Sequence, residues 1–383
     1  MKNWQPLVSI CMLSVMLMAA LAMSPGIADF ISEYGVSETV ANLSITLPYL
    51  ISIPFTLLAG RLTASFSKKV LSLAGTLIIC FTGILPYFLR DFTAILIVRA
   101  LMGVGLGLLF TIVPSLAPDY YPAGSTRSLA VGMQSAWAGS GGFVFNILSG
   151  HLVNIQTKNI YLVYSICILF FLLILILLPW RPPVKVKTAS SFEHGSLKTA
   201  FLTFLFISAG MTLSLNVAVY IIDIGIGNSV QAGYTTSAYS VASFIVGCTY
   251  VFVSYIVKRH AILVACLLSA FGMLICVAFG NIAGTYAGAA LVGAGLSIFM
   301  PSCISRLIHT VKSSSISMSI GFMMVGCSAG QTFSCYLINP ISNLFTYSIQ
   351  ARFIISAIIF ITVAVIDKVV IKDTSRSAHS FSL

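Results

Sequence analysis

Charge is what this chain has least of. Asp, Glu, Lys and Arg make up 8% of its 383 residues, and hydrophobic residues 58%; soluble globular domains carry roughly 25% charged residues. A soluble enzyme or binding module is excluded on that ground. Acids are the scarcest: Asp29, Glu33, Glu38, Asp91, Asp119, Glu193, Asp223, Asp367 and Asp373 are all of them, and none falls in the middle of an apolar run. The five histidines, His151, His194, His260, His309 and His379, lie at loops or tails, and there is no HExxH. The cysteines at 11, 80, 167, 248, 266, 276, 303, 327 and 335 have no CxxC spacing and all fall within apolar runs. Metal chemistry, a disulfide framework and an acid–base pair therefore have no bearers. No cofactor or metal is expected.

What is there is apolar length. A membrane-spanning helix needs about 20 residues, and twelve such spans with short loops account for nearly the whole chain: 5–27, 39–60, 70–89, 92–117, 128–150, 160–180, 199–222, 232–256, 261–280, 283–305, 316–338 and 350–370. The first has no small-residue cleavage site and is read as a true helix.

The net charge of +11 is unevenly placed. Lys2, then Arg61, Lys68 and Lys69, Arg127, Arg181, Lys185, Lys187 and Lys198, Lys258 and Arg259, Arg306 and Lys312, and Lys368, Lys372 and Arg376 occupy alternate loops. The other loops hold Arg90, Lys158 and, at a helix start, Arg352. Basic loops face the cytoplasm, so both termini are expected there, in a multi-pass protein of the cytoplasmic membrane. The charge reports topology and excludes a nucleic-acid partner.

Trp180 to Lys198 is the longest polar break. It divides the chain into a bundle at 1–180, a cytoplasmic loop at 181–198, and a bundle at 199–383 with a short tail. The halves echo each other about 190 residues apart, as internal duplication requires: LMGVGLG at 101–107 with LVGAGLS at 291–297, Gly132 with Gly321, and Gly139–Gly142 with the Gly326–Gly330 stretch. Two parallel repeats about an axis normal to the membrane are an architecture of alternating-access carriers.

Gly60-Arg61-Leu62-Thr63-Ala64-Ser65-Phe66-Ser67-Lys68-Lys69 resembles the loop signature of the major facilitator superfamily, and Arg99-xxx-Gly103-x-Gly105-x-Gly107 is similar to its fourth-helix signature. Ala64 stands where that family usually has Asp, and Gly139-Ser140-Gly141-Gly142 has the glycines of its fifth-helix antiporter signature without the proline. The resemblance, to the bacterial twelve-span members, implies an all-α membrane fold of two pseudo-symmetric six-helix bundles with a substrate between them.

Arg99 carries the sharpest expectation. A guanidinium in hydrocarbon is costly unless paired or lining a wet cavity, and the second half has Ala289 in its place. A carrier also needs polar and aromatic groups on several helices: Asn42, Tyr49, Gln134, Trp137, Asn146, Asn216, Tyr239 and Gln331 join Arg99 as substrate-binding candidates. Asp29 and Asp223, at matching places in the halves, are candidates for proton coupling, and Asp29 would pair with Arg99 if the first span shifted inward. Gly60, Lys68, Lys69, Gly103, Gly105 and Gly107 are assigned to gating and close packing. Pro25, Pro48, Pro54, Pro114 and Pro301 fall inside spans, where proline frees a carbonyl and kinks the helix.

The chain is thus expected to be a monomeric secondary carrier driven by a gradient, since neither a nucleotide-binding loop nor an ATPase domain is present, and not an enzyme, since the spans hold no HExxH and no paired Asp. Its expected partners are a small-molecule substrate, protons as coupling ion, and the lipid bilayer. The working expectation is proton-coupled efflux of small amphipathic compounds. The alternative is uptake or exchange of a small organic anion recognised by Arg99.

Overall fold

The computed structural model describes residues 4–63, 65–122, 125–182, 194–257, 260–310, 316–345 and 348–380. Ala64 and the basic residues Lys2, Lys185, Lys187, Lys258, Arg259 and Lys312 lie outside them. Among the described residues all regular structure is helical.

Twelve rods can be followed. α1 spans Trp4–Tyr34, with a 3-10 stretch, Ala19–Gly26, between α-helices Trp4–Met16 and Ile27–Tyr34. Then come α2 (Glu38–Leu62), α3 (Lys68–Phe88), α4 (Phe92–Tyr120), α5 (Ser125–Ile155) and α6 (Thr157–Leu177). The second set is α7 (His194–Asp223), α8 (Ser229–Cys248, continued by Tyr250–Val257), α9 (Ala261–Phe279), α10 (Ile282–Thr310), α11 (Ile316–Asn343) and α12 (Ile349–Ser380). Nine of these rods are long and apolar enough to cross a membrane, among the described residues. The others, α5, α8 and α11, carry serine, glycine and amide residues along their length.

Local chemistry sets the ends. Ser37, Ser67 and Asp91 accept the backbone N–H three residues on, at 3.4, 3.3 and 2.8 Å, starting α2, α3 and α4. Asn228 and Gln231 form a reciprocal capping box at the start of α8. Gly35, at φ +61°, ends α1 in the left-handed region that glycine adopts without penalty. Three expected boundaries are corrected. α1 runs on to Tyr34 because Ile27–Tyr34 is an amphipathic helix of about two turns that apolar length alone does not reveal. The loop expected at 181–198 is shorter, since α7 begins at His194. The last helix continues to Ser380, well into the expected tail.

The first six rods pack on one another, as do the last six. Contacts between the two sets run mainly through α5 with α8, α2 with α11, and α1 with α7 and α8. The duplication is visible as repeated packing. A Cβ on Gly105 would lie 2.6 Å from the Gly75 carbonyl oxygen and 2.9 Å from Ile79; one on Gly295 would lie 2.7 Å from the Ala265 carbonyl oxygen and against Ser269. Gly103 abuts the Pro48 carbonyl and Gly293 the Tyr239 carbonyl. Gly141 faces the Val15 carbonyl and Gly330 the Phe204 carbonyl, both at 2.7 Å from an added Cβ. Each contact recurs about 190 residues on, between the corresponding pair of helices. Glycine is required there because backbone cannot move aside for a side chain.

Candidate functional site

Between the two halves lies a small cavity of about 30 Å³, lined by Met18 and Leu21 of α1, Phe206 and Met211 of α7, Tyr239 of α8 and Gln331 of α11, among others. No charged residue lines it. Its size suits about one water molecule. The Gln331 side-chain oxygen is buried without a hydrogen-bond partner, as is the Tyr49 hydroxyl. Tyr49 is fully buried, its ring 6.3 Å from that of Phe110. Both amide atoms of Asn42 and the Asn146 carbonyl oxygen are likewise unpartnered. Buried polar atoms are paired as a rule, so these four side chains hold hydrogen-bonding capacity that the closed structure does not use.

Among the described residues, the polar side-chain contacts between the halves cluster at one end, called here the Glu38 end. Asp29 of α1 accepts a hydrogen bond from the Ser229 hydroxyl of α8 at 2.5 Å. Ser24 donates to the Ser214 carbonyl. His151 of α5 lies 3.0 Å from the Tyr234 hydroxyl of α8. Glu38, at the start of α2, forms an ion pair with Arg352 of α12, and the same guanidinium nitrogen donates to Asn216 of α7 at 2.5 Å. Near the middle of α2 and α11 the Ser52 and Ser328 hydroxyls are 3.3 Å apart. Toward the opposite, Lys68 end, a Cβ on Gly132 of α5 or on its counterpart Gly321 of α11 would meet nothing within 4 Å.

Arg99 stands elsewhere. It is fully buried inside the first six helices, and its partners are the Ser44 carbonyl at 2.8 Å, the Ala20 carbonyl at 3.1 Å, the Tyr164 hydroxyl at 2.7 Å and the Met102 sulfur at 3.2 Å. Tyr164 in turn donates to the Ala19 carbonyl at 2.6 Å. Ala19 and Ala20 open the 3-10 stretch of α1, so Arg99 and Tyr164 take carbonyls that an α-helix would use for itself. The expected pairing of Asp29 with Arg99 is corrected: Asp29 reaches across to Ser229 instead. Asp223 is exposed, so the structure does not keep the matched environment expected of Asp29 and Asp223.

Lys68 pairs with Asp119 at 2.6 Å and also reaches the Ser115 carbonyl, while Lys69 donates to the Leu175 carbonyl at 2.8 Å. The loop signature thus ties α3 to α4 and α6. Gly60 is exposed and nothing packs where its Cβ would be, which corrects its assignment to close packing. Arg306, counted among loop charges, lies in α10 and pairs with the buried Asp367 of α12. Trp137 is 37% exposed and Gln134 half-buried.

The family model of the Major Facilitator Superfamily matches residues 8–334. The chain belongs to that superfamily. No curated protein matches it. As a member of the Major Facilitator Superfamily it is a secondary transporter, a multi-pass protein of a lipid bilayer that carries a small molecule. The superfamily's two signatures occupy different places in this transporter: the loop motif makes an ion pair and two hydrogen bonds to carbonyls at the Lys68 end, and the fourth-helix motif supplies Arg99 and the glycines that hold α4 against α2 and α3. The glycines were legible from spacing. Glu38 and Arg352 were not singled out, although Arg352 was already an exception to the basic-loop pattern.

Proposed function

We propose that this transporter works by alternating access across the cytoplasmic membrane, with the Lys68 end and both termini in the cytoplasm, and exports small amphipathic compounds in exchange for protons. The observation that carries the rocking motion is the one-sided distribution of side-chain hydrogen bonds between the halves among the described residues: they run from Ser52–Ser328 to the Glu38 end, while toward the other end α5 and α8 meet only by close packing, as of Gly247 on Ala136, and nothing fills the place of a Cβ on Gly132 or Gly321. Such a distribution is what two rigid halves closed at the outer end would have.

The uncharged wall of the central cavity favours a largely apolar substrate, with Gln331, Tyr49, Asn42 and Asn146 offering hydrogen bonds once the cavity widens. Arg99 directs its four hydrogen bonds within its own half, which removes the residue that motivated an organic anion as substrate. Asp29, held by Ser229 at the closing end, is the carboxylate best placed to link protonation to opening.

The test is transport by inside-out proteoliposomes with an acidic lumen. Accumulation of a lipophilic cation or neutral amphiphile that collapses with the pH gradient is expected. Gradient-driven accumulation of labelled organic anions instead, or no response to any gradient, would overturn the reading.

A further inference from the structure

Arg352 is buried, with 7% of its surface exposed, and its partners belong to different halves. Glu38, which balances its charge, sits on α2; Asn216, which accepts a further hydrogen bond, sits on α7. Its Nε is buried with no partner at all. When the halves part at the Glu38 end, which rests on the alternating-access reading above, Glu38 leaves with α2 while Arg352 and Asn216 stay together. The guanidinium then faces the new opening without its counter-ion. A buried charge left unpaired is strongly unfavourable, a guanidinium's fixed N–H donors suit a planar oxyanion, and the group this one already holds is the carboxylate of Glu38.

We propose that Arg352 is an anion-binding site of the outward-open transporter, taking a small carboxylate from the outer side, and that Glu38 is the built-in carboxylate that displaces it as the gate shuts. The site differs from the central cavity, whose walls carry no charge. Asn216 belongs to it as a fixed polar neighbour on the same half. A carboxylate bound there holds the outer end open, so external carboxylate slows export by competing with closure.

The experiment uses the full chain in lipid nanodiscs with benzoate as probe and tetraethylammonium as control. Binding is measured by calorimetry. Opening is measured as the distance between spin labels at Thr39→Cys and Leu344→Cys, both exposed positions, with the exposed Cys248 changed to Ser. In wild type the site is available only to the open fraction, so apparent affinity is reduced by that fraction. Glu38→Gln is expected to bind benzoate at least about tenfold more tightly than wild type, with the label distance lengthening on binding. Arg352→Gln, alone or with Glu38→Gln, is expected to lose benzoate binding, and no variant is expected to bind tetraethylammonium at this site. Equal benzoate affinity in wild type and Glu38→Gln, or binding that persists in Arg352→Gln, overturns the proposal. The first comparison decides even if Arg352→Gln fails to fold. Benzoate binding through Arg352 with no change of label distance under any condition would uphold the site and overturn the rocking motion.

Discussion

Ser24 donates its hydroxyl proton to the backbone carbonyl of Ser214, the residue 190 positions further on. Residues at or next to the same position in the two repeats touch only close to the axis relating those repeats. That contact therefore lies close to the line about which the halves are arranged, and it lies on the two helices, α1 and α7, that open their respective sets.

Cross-links distinguish motion between halves from motion within them. The Ser52 and Ser328 hydroxyls, in different halves, are 3.3 Å apart, and those of Ser243 and Ser297, in one half, are 2.6 Å apart. Ser52→Cys with Ser328→Cys, oxidised by a membrane-permeant reagent, is expected to stop transport and to recover on reduction. Ser243→Cys with Ser297→Cys is expected to oxidise and keep transporting. Transport rates before and after dithiothreitol check both; continued turnover by the oxidised Ser52–Ser328 pair contradicts rocking of the halves.

The glycines divide into required and replaceable. Gly103→Ala and Gly293→Ala would drive a methyl group into the Pro48 or Tyr239 backbone, and each is expected to cost about 1–3 kcal/mol. Gly132→Ala and Gly321→Ala meet nothing within 4 Å and are expected to be neutral or slightly stabilising, by about 0.5–1 kcal/mol, through helix propensity. Thermal unfolding in detergent orders the four.

Two ion pairs are predicted to differ sharply. Lys68 and Asp119 have side chains 27% and 37% exposed, so Lys68→Met is expected to cost no more than about 1 kcal/mol. Asp367 is 2% exposed opposite Arg306, and Asp367→Asn, which strands the cation, is expected to cost about 3 kcal/mol or more. Denaturation midpoints of the two variants compare them directly, and a larger loss for Lys68→Met would reverse the argument.

Removing the Arg99 side chain leaves the Ser44 and Ala20 carbonyls and the Tyr164 hydroxyl each short of a donor, so Arg99→Met is expected to cost more than Tyr164→Phe, which itself removes a hydrogen bond from a charged donor and one to the Ala19 carbonyl and is expected to cost about 2–3 kcal/mol. Arg99→Lys is expected to restore little, because an ammonium on a flexible stem cannot reach three acceptors in a fixed fork. Transport assays on the surviving protein should show the same preference between anionic and neutral substrates as wild type. A loss confined to anions would return Arg99 to the substrate site.

Helix positions were readable because runs of about 20 apolar residues have few other uses, and the repeat was readable because backbone contact tolerates glycine and little else. Orientation around each helix was harder. Asn42, Tyr49, Asn146 and Gln331 are buried, but Gln134 and Trp137 have the same chemistry in more exposed places. Arg99 announced itself by cost, yet two of its four partners are carbonyl oxygens, which every residue possesses and no sequence pattern marks. Glu38 and Arg352 lie 314 residues apart, each at an unremarkable helix start, and only the assembly of the two halves makes them a pair.

The 3-10 stretch of α1 has one more consequence. A 3-10 helix rises about 2.0 Å per residue against 1.5 Å for an α-helix, so the eight residues Ala19–Gly26 span about 4 Å more than the same residues wound as α. Arg99 and Tyr164, by gripping its first two carbonyls, hold that stretch extended. Releasing them would let α1 shorten like a screw turned home, drawing Asp29 and the whole Tyr34 tip of the helix toward Trp4 by most of a helical turn.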